Sequence, residues 1–190
     1  MVTRRALLKT LGGLTLAGAL APQARAAGRT HTVTMHIEGV AGRELPEFYF
    51  EPGRLWRRPG DAVRWEAYSP HHTVTAYHRQ HGKAHRVPDG VGPFSSPVVP
   101  IGEAWEMTFH IPGVYDYWCA PHEQYGMVGR LVGDYPVRGP AREPVTDFGP
   151  LGAFGAGGAV LNHPNLDAFR IFVRNEVAWS EVREAAGGAA

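Results

Sequence analysis

Apolar and polar residues alternate in short runs from about residue 31 to residue 137 of this 190-residue chain. Alternation with a period of two is typical of strands that bury one face, and clusters of Pro, Gly and Asp separate the runs as turns. The pattern predicts strands at 31–37, 48–50, 55–57, 62–68, 73–77, 105–109, 114–118 and 127–132. Many short strands joined by turns predict an all-β protein, folded as a Greek-key β-sandwich.

The pattern changes after the last strand. Residues 138–164 are rich in Gly and Pro, which predicts a linker or an irregular wrap. Within 165–190 the apolar residues recur at helical spacing, which predicts a C-terminal extension with one amphipathic α-helix from about 165 to 186. The polar face of this helix mixes both charges, which favours packing on the sandwich or docking a partner over lying on a membrane.

The first 26 residues form a separate segment. Arg4 and Arg5 belong to a twin-arginine pattern, Leu11 to Ala21 is moderately apolar, and small residues follow at 24–26. The apolar stretch is too short and Gly-rich for a spanning helix, which needs about 20 apolar residues. We therefore expect a twin-arginine signal peptide at 1–26, export to the periplasm or the extracytoplasmic cell surface, and no transmembrane span in the mature chain.

Charge excludes one class of partner. The whole chain has 19 basic and 18 acidic residues, but four of the basic ones lie in the segment 1–26. Without that segment 15 basic residues face 18 acidic ones, a formal charge of −3. Since no basic block remains, we expect no binding to nucleic acid. The remaining length suits one domain plus a tail.

The only cysteine of the chain carries the strongest chemical signal. Cys119 cannot form an internal disulfide, and a free thiol is a liability in an oxidising compartment. His122 and Met127 follow it within one short loop, so a thiolate, an imidazole and a thioether lie close together. With a second imidazole this is the donor set of a mononuclear blue copper site. His71 and His72 are the candidates, and only one should point at the metal because adjacent strand residues face opposite ways.

Several motifs occur together around these residues. The run 117–129 contains Cys-x2-His-x4-Met, His72 precedes Cys119 by 47 residues, and a Pro-Gly-Asp-x-Val turn and strand lies at 59–63. Over roughly residues 31–135 the chain resembles the cupredoxins, and among them the plastocyanins and halocyanins. The resemblance implies a cupredoxin domain at 28–137 that binds one type I copper ion through His72, Cys119, His122 and Met127. It selects His72 over His71 because the ligand histidine of the motif stands two residues before a valine.

The resemblance also implies a function, that of a one-electron carrier between redox proteins and not an enzyme. Donor and acceptor proteins would dock transiently near His122, through an apolar patch whose candidate members are Pro121, Tyr125, Gly126 and Met127. Trp118 fits a core residue better than a second electron route. The chain departs from the plastocyanin pattern at Thr73, where an asparagine usually ties the two ligand loops together. Pro121 has no amide hydrogen to donate to the thiolate.

The sequence also bears on two other functions. Multicopper oxidases need His-x-His motifs, which this chain lacks, and a dinuclear copper site needs two cysteines. A copper storage or delivery protein is the stronger alternative, because His78, His81 and His85 lie in a long connection, 78–103, at a spacing that could hold a second metal. A solvated loop is favoured over such a site, since Gly82 argues against a stable helix there. The sequence does not indicate the oligomeric state or the redox partners.

Overall fold

The computed structural model describes residues 28–134, 141 and 155–183. The predicted signal peptide at 1–26 and much of the predicted linker lie outside the described residues. The strands are β1 Thr30–Glu38, β2 Glu47–Glu51, β3 Arg54–Arg57, β4 Ala62–Ala67, β5 Thr75–Ala76, β6 Ala104–Thr108, β7 Gly113–Trp118, β8 Val128–Gly133 and β9 Glu176–Val177. The helices are α1 Gly155–Leu161 and α2 Ala168–Arg174.

The strands form two sheets that pack face to face. One sheet has the order β2-β1-β4-β6, with β1 parallel to β4 and the other pairs antiparallel. The other sheet has the order β5-β7-β8-β3-β9, with β3 parallel to β8. This arrangement confirms the predicted β-sandwich.

The inner faces of the two sheets enclose the first core. Alternate residues of β1 and β4 point inward, and Val33, Met35, Val63 and Trp65 are fully buried. Cys119 lies in the same core, at the end of β7. The alternation in the sequence therefore marks the buried face correctly, and the lone thiol lies among apolar side chains.

All eight predicted strands are present, but β5 is shorter than the predicted 73–77. The Ser96 side chain accepts a hydrogen bond from the Val74 amide at 2.9 Å, so a hydroxyl occupies a position that a strand partner would take. His72 and Thr75 instead form isolated bridges with Val99 and Ser95 of the long connection. The connection 78–103 thus completes the edge of the sheet beside the ligand-bearing turn.

The C-terminal extension is helical, as predicted, but it is not one helix from about 165 to 186. A 3-10 turn at Pro164–Leu166 precedes α2. The Asp167 carboxylate caps the start of α2 by accepting hydrogen bonds from the amides of Phe169 and Arg170. Asn175 has φ of 69° and ends α2, because a left-handed residue reverses the chain. The chain then forms β9 and a second 3-10 turn, Trp179–Glu181.

The extension covers the outer face of the five-stranded sheet and forms a second core there. Val114, Val128 and Val132 contribute from the sheet. The tail contributes the buried residues Val160, Leu161, Leu166, Ile171, Val177, Trp179 and Val182. Residues 155–161 therefore behave as a wrap and not as a linker. No helix among the described residues has the length and apolar character that crossing a membrane requires.

A buried ion network joins this second core to the sheet. Asp116 of β7 is fully buried and receives hydrogen bonds from the Arg86 Nε at 2.7 Å and the Arg130 Nε at 2.6 Å. Arg130 also donates to the Leu166 carbonyl of the tail at 2.7 Å. Burial alone would raise the pKa of Asp116, but the two guanidinium groups outweigh it and hold this pKa below its usual value.

Replacing Asp116 with Asn leaves two buried guanidinium groups without their counter-charge. We expect Asp116→Asn to lower the free energy of unfolding by about 3–5 kcal/mol at neutral pH, measured by chemical denaturation. Because the folded pKa is lowered, this stabilisation is complete above the pKa of an unfolded aspartate and is lost as pH falls through the folded pKa. The variant should lack that part of the pH dependence.

The matched control is the exposed Asp89. Asp89→Asn should change the free energy of unfolding by less than about 0.5 kcal/mol. Equal effects of the two substitutions would contradict a structural role for the Asp116 network.

Candidate metal centre

The loop between β7 and β8 carries three of the four predicted ligands. The Cys119 amide donates to the Met127 carbonyl at 3.1 Å and so closes the loop just beyond the β7–β8 pairs. Within it the amides of His122 and Glu123 both donate to the Cys119 carbonyl, which forms a tight turn. Gly126 has φ of 91° and directs the chain back into β8, a conformation that suits glycine. The loop is therefore fixed by its own backbone.

The turn before β5 selects one of the two adjacent histidines. His71 has φ of 65° and an exposed side chain, whereas His72 is fully buried. The left-handed conformation at His71 turns the next residue inward. The His72 Nε2 atom lies 2.8 Å from the hydroxyl of Ser69, which leaves Nδ1 facing the core. The structure thus brings His72, and not His71, to Cys119.

Three donor atoms converge at this point. The Cys119 Sγ lies 3.8 Å from the His72 Nδ1 and 3.4 Å from the His122 Nδ1. The two imidazole centroids are 5.3 Å apart, with their planes at 70°. Among the described residues this is the only group of three or more His, Cys, Asp or Glu whose donor atoms all lie within 4.8 Å of one another.

The spacing fits a shared metal ion. Bonds of about 2.3 Å to sulfur and about 2.0 Å to nitrogen place the two atoms about 3.5 Å apart at a tetrahedral angle and about 3.7 Å apart at a trigonal angle. The two observed sulfur-to-nitrogen distances, 3.4 and 3.8 Å, are close to this range. The donor set of one sulfur and two imidazoles is the one preferred by copper in trigonal sites.

Met127 completes the predicted set at the end of the same loop. Its side chain is fully buried in the first core, together with Cys119. Its amide donates to the His122 carbonyl at 3.2 Å, and its carbonyl accepts from the Cys119 amide. The backbone therefore holds Met127 next to both residues of the loop that supply donor atoms.

Thr73 joins the turn to the loop through two hydrogen bonds. Its amide donates to the Cys119 Sγ at 3.4 Å, and its hydroxyl accepts from the Ala120 amide at 2.7 Å. The sequence raised doubt about this position because an asparagine is usual there. A threonine supplies the same connection, because its short side chain reaches the amide directly after the cysteine.

Burial determines the protonation of the donor atoms. Burial raises the pKa of the Cys119 thiol to about 11, although the hydrogen bonds from Thr73 act to lower it. Burial lowers the pKa of His72 to about 4, and the neighbouring imidazoles of His122, His36 and His71 act in the same direction. The pKa of His122 is also lowered, mainly by burial and secondarily by His71. Both imidazoles are therefore neutral at neutral pH and able to bind a metal, while metal binding must displace the thiol proton.

An aromatic group lies against His122. The Phe48 ring is 4.6 Å from the His122 ring and 4.7 Å from the Tyr125 ring, centroid to centroid. His122 is only 8% exposed, and Tyr125 is 38% exposed. Of the predicted patch members, Pro121 and Tyr125 are exposed, whereas Gly126 and Met127 are buried because the loop folds back under its own turn. Phe48 does not stand at a recognisable spacing from the Cys-His-Met motif, so the sequence did not predict its contact with His122.

A polar group lies on the other side of the loop. Glu123 is 2% exposed, and its carboxylate accepts from the Tyr77 hydroxyl at 2.7 Å and the Lys83 ammonium at 2.6 Å. Burial raises the pKa of Glu123 despite these partners. The Lys83 ammonium also lies 4.6 Å from the centre of the Trp118 ring, which packs against the second core. This supports the interpretation of Trp118 as a core residue.

Comparisons with known proteins agree with the geometry. Residues 35–133 match the family described as copper binding proteins, plastocyanin/azurin family. A pseudoazurin of Paracoccus pantotrophus is 34% identical over 108 residues, 56% of this chain and 66% of that protein. The chloroplastic plastocyanin of Tetradesmus obliquus is 30% identical over 97 residues, 48% of this chain and 62% of that protein. The chain thus spans just under two thirds of the length of these relatives.

A likeness to solved structures is also found. The pseudoazurin from Methylobacterium extorquens AM1 aligns with 76% of this chain and 95% of its own chain, at 22% identity and a TM-score of 0.47.

The Thr73 hydroxyl can be tested separately from its amide. Thr73→Val keeps the shape of the side chain and the amide-to-sulfur contact but leaves the Ala120 amide without its acceptor. We expect the affinity for copper, measured by competition with a chelator, to fall by about 10- to 100-fold. Thr75→Val is the control, because it removes a hydroxyl pair with Ser95 (2.9 Å) outside the two ligand loops. A loss of copper affinity as large in the control would contradict the assignment.

Proposed function

The chain belongs to the plastocyanin/azurin family of copper binding proteins, and from that premise we propose that it carries single electrons between redox proteins by means of one copper ion. His72, Cys119, His122 and Met127 are the proposed ligands. The observation that carries the proposal is the convergence of the Cys119 Sγ and two imidazole Nδ1 atoms at 3.4 and 3.8 Å inside an apolar core.

Copper held by one thiolate, two imidazoles and a thioether exchanges one electron between its two oxidation states with little change of geometry. The residues of the chain keep that geometry. The closed loop holds Cys119 and His122, Ser69 orients His72, and the Thr73 hydrogen bonds prevent the two segments from separating. The apolar core excludes water from the sulfur. A site that is already formed needs little rearrangement when charge moves.

The proposed route to redox partners passes through His122. Its imidazole packs against the Phe48 ring at 4.6 Å, and Phe48 stacks on the exposed Tyr125 ring at 4.7 Å. Pro121 and Tyr125 give this face a small uncharged surface. Such a surface suits brief, weak docking, which electron carriers need because each partner must leave after the transfer. We propose that donor and acceptor proteins use this face in turn.

Two features support a carrier over an enzyme. The donor set leaves no open coordination position for a substrate once four side chains bind the ion. The polar side chains near the proposed ligands are also hydrogen-bonded to one another: the Glu123 carboxylate accepts from the Tyr77 hydroxyl and the Lys83 ammonium.

We further propose that the protein works outside the cytoplasm. The support is the twin-arginine pattern at residues 1–26, which predicts export to the periplasm or the extracytoplasmic cell surface. The proposed units are this signal peptide, a cupredoxin domain at 28–137 and the C-terminal extension.

The ligand assignment is tested by spectroscopy of the copper-loaded protein. We expect an intense visible charge-transfer band from sulfur to copper, and Cys119→Ser should abolish it because the thiolate is the donor. His72→Ala should weaken copper binding and alter the band, while His71→Ala at the adjacent exposed position should leave both unchanged. A band that survives in Cys119→Ser, or an equal loss in both histidine variants, refutes the proposed ligands.

The docking face is tested by electron exchange between oxidised and reduced molecules, measured from NMR line broadening. Tyr125→Lys adds a like charge to both docking faces, so the exchange rate should fall on the order of tenfold and recover at high salt. The control is Val173→Lys, at a 60% exposed apolar position on α2. Equal slowing in both variants would show that the change in net charge, and not this face, sets the rate.

A further inference from the structure

The segment between Tyr77 and Arg86 is a closed loop on the outer side of the five-stranded sheet. The Arg86 amide donates to the Tyr77 carbonyl at 2.9 Å, and the Arg86 carbonyl accepts from the Asp116 amide at 3.0 Å. Within the loop, Lys83 reaches the Glu123 carboxylate at 2.6 Å. Both ends and the middle of the loop are therefore attached to the sandwich, so its side chains are held in place.

Gly82 gives this loop its shape. A 3-10 turn covers Arg79–His81, and Gly82 ends it with φ of 70°, a left-handed conformation that glycine adopts without strain. The chain then returns toward its start and brings His85 beside His78. The glycine that counts against a regular helix thus gathers three histidines on one side of the loop.

The imidazole spacing resembles that of a metal site. The ring centroids of His78 and His85 are 4.9 Å apart with planes at 75°, and those of His78 and His81 are 6.4 Å apart with planes at 71°. In the candidate copper site the corresponding values for His72 and His122 are 5.3 Å and 70°. Two imidazoles that share an ion at about 2.0 Å have centroids about 5–6 Å apart. His78 and His85 are close to this spacing, whereas the His81 ring is too far from His78 for both to bind one ion unless the ring moves.

Two of these rings have a buried nitrogen without a partner. The His81 Nε2 and the His85 Nδ1 are shielded from solvent, and neither has a hydrogen-bond partner among the described residues. Buried polar atoms are nearly always paired, and an unpaired one calls for an explanation such as an ion. A metal ion bound in the loop would give both atoms a partner.

We propose that His78, His81 and His85 form a second metal site, which takes a divalent first-row transition ion such as Zn²⁺ or Cu²⁺. Neutral imidazoles suit both ions, and three of them leave one position for water. His81 is half-buried, so its ring can rotate inward to close the wider gap. The His78 Nδ1 accepts a hydrogen bond from the Gln80 amide at 3.2 Å. When Nε2 binds the ion, Nδ1 must carry the ring proton and can no longer accept, so His78 loses this hydrogen bond.

The test starts from protein whose first site is already filled with copper. Titrating Zn²⁺ into it in a calorimeter should show one further saturable equivalent. His81→Gln and His85→Gln should each weaken this equivalent by at least the 10- to 100-fold that loss of an outer partner typically costs. The control is His110→Gln, at an exposed histidine outside the loop, which should leave Zn²⁺ binding unchanged. A parallel titration with Cu²⁺ identifies the preferred ion.

Each outcome decides the proposal. It is overturned if neither ion binds in a saturable way, or if the two loop variants bind like wild type, or if the control variant loses binding equally. The visible copper band and the melting temperature report whether each variant is folded. If a loop variant does not fold, NMR of the histidine ring nitrogens in the wild-type protein decides: Zn²⁺ should shift the rings of His78, His81 and His85, and a shift elsewhere instead refutes the site.

Discussion

Two hydrogen bonds of Thr73 connect the segments that supply the donor atoms. One segment precedes β5 and the other follows β7, and these strands pair directly in the sheet, Thr75 with Trp118. The Thr73 amide reaches the Cys119 sulfur and its hydroxyl accepts the Ala120 amide, so the connection extends the strand pairing beyond the end of the sheet. The backbone hydrogen bonds therefore help to set the spacing of the sulfur and the imidazoles.

That backbone is rigid because the five-stranded sheet is buried on both faces. The inner face meets the other sheet, and the outer face meets the C-terminal extension. A sheet covered on both sides cannot expose its buried polar side chains to water, so they need partners within the protein. Asp116 with Arg86 and Arg130 meets this requirement in the middle of the sheet. Glu123 with Lys83 and Tyr77 meets it next to His122.

The sequence predicted the sandwich, and the structure brings together three of the four predicted ligands, His72, Cys119 and His122. A period of two is a local property, and it located eight of the nine strands in the two sheets, β1 to β8. The spacing of Cys119, His122 and Met127 is confined to one short loop, which can hold them together in few ways. The selection of His72 over His71 agrees with the structure, because the left-handed conformation of His71 points the two side chains in different directions. Signals that lie close together in the sequence thus agree with the structure at the strands and at the three converging donor residues.

Features that depend on tertiary contacts were not predicted. The helical period of the tail was interpreted as one helix, because nothing local shows that Asn175 reverses the chain and that β9 joins the sheet. Phe48 approaches His122 from another strand, and no motif links them. At the histidines of the long connection, Gly82 favoured a solvated loop over a metal site. The structure shows that the same glycine ends a 3-10 turn, a local path that the sequence did not predict.

The position of β9 has a consequence for the order in which the protein folds. β9 pairs with β3 through Val177 and Arg54. Because β3 is synthesised early and β9 much later, this pairing cannot form until the C-terminal segment has been made. Closing so long a stretch of chain is entropically costly and comes after the local hairpins have formed. On a ribosome, the five-stranded sheet therefore stays incomplete until the C-terminal segment has emerged, and the edge of β3 is open to unwanted pairing in that interval.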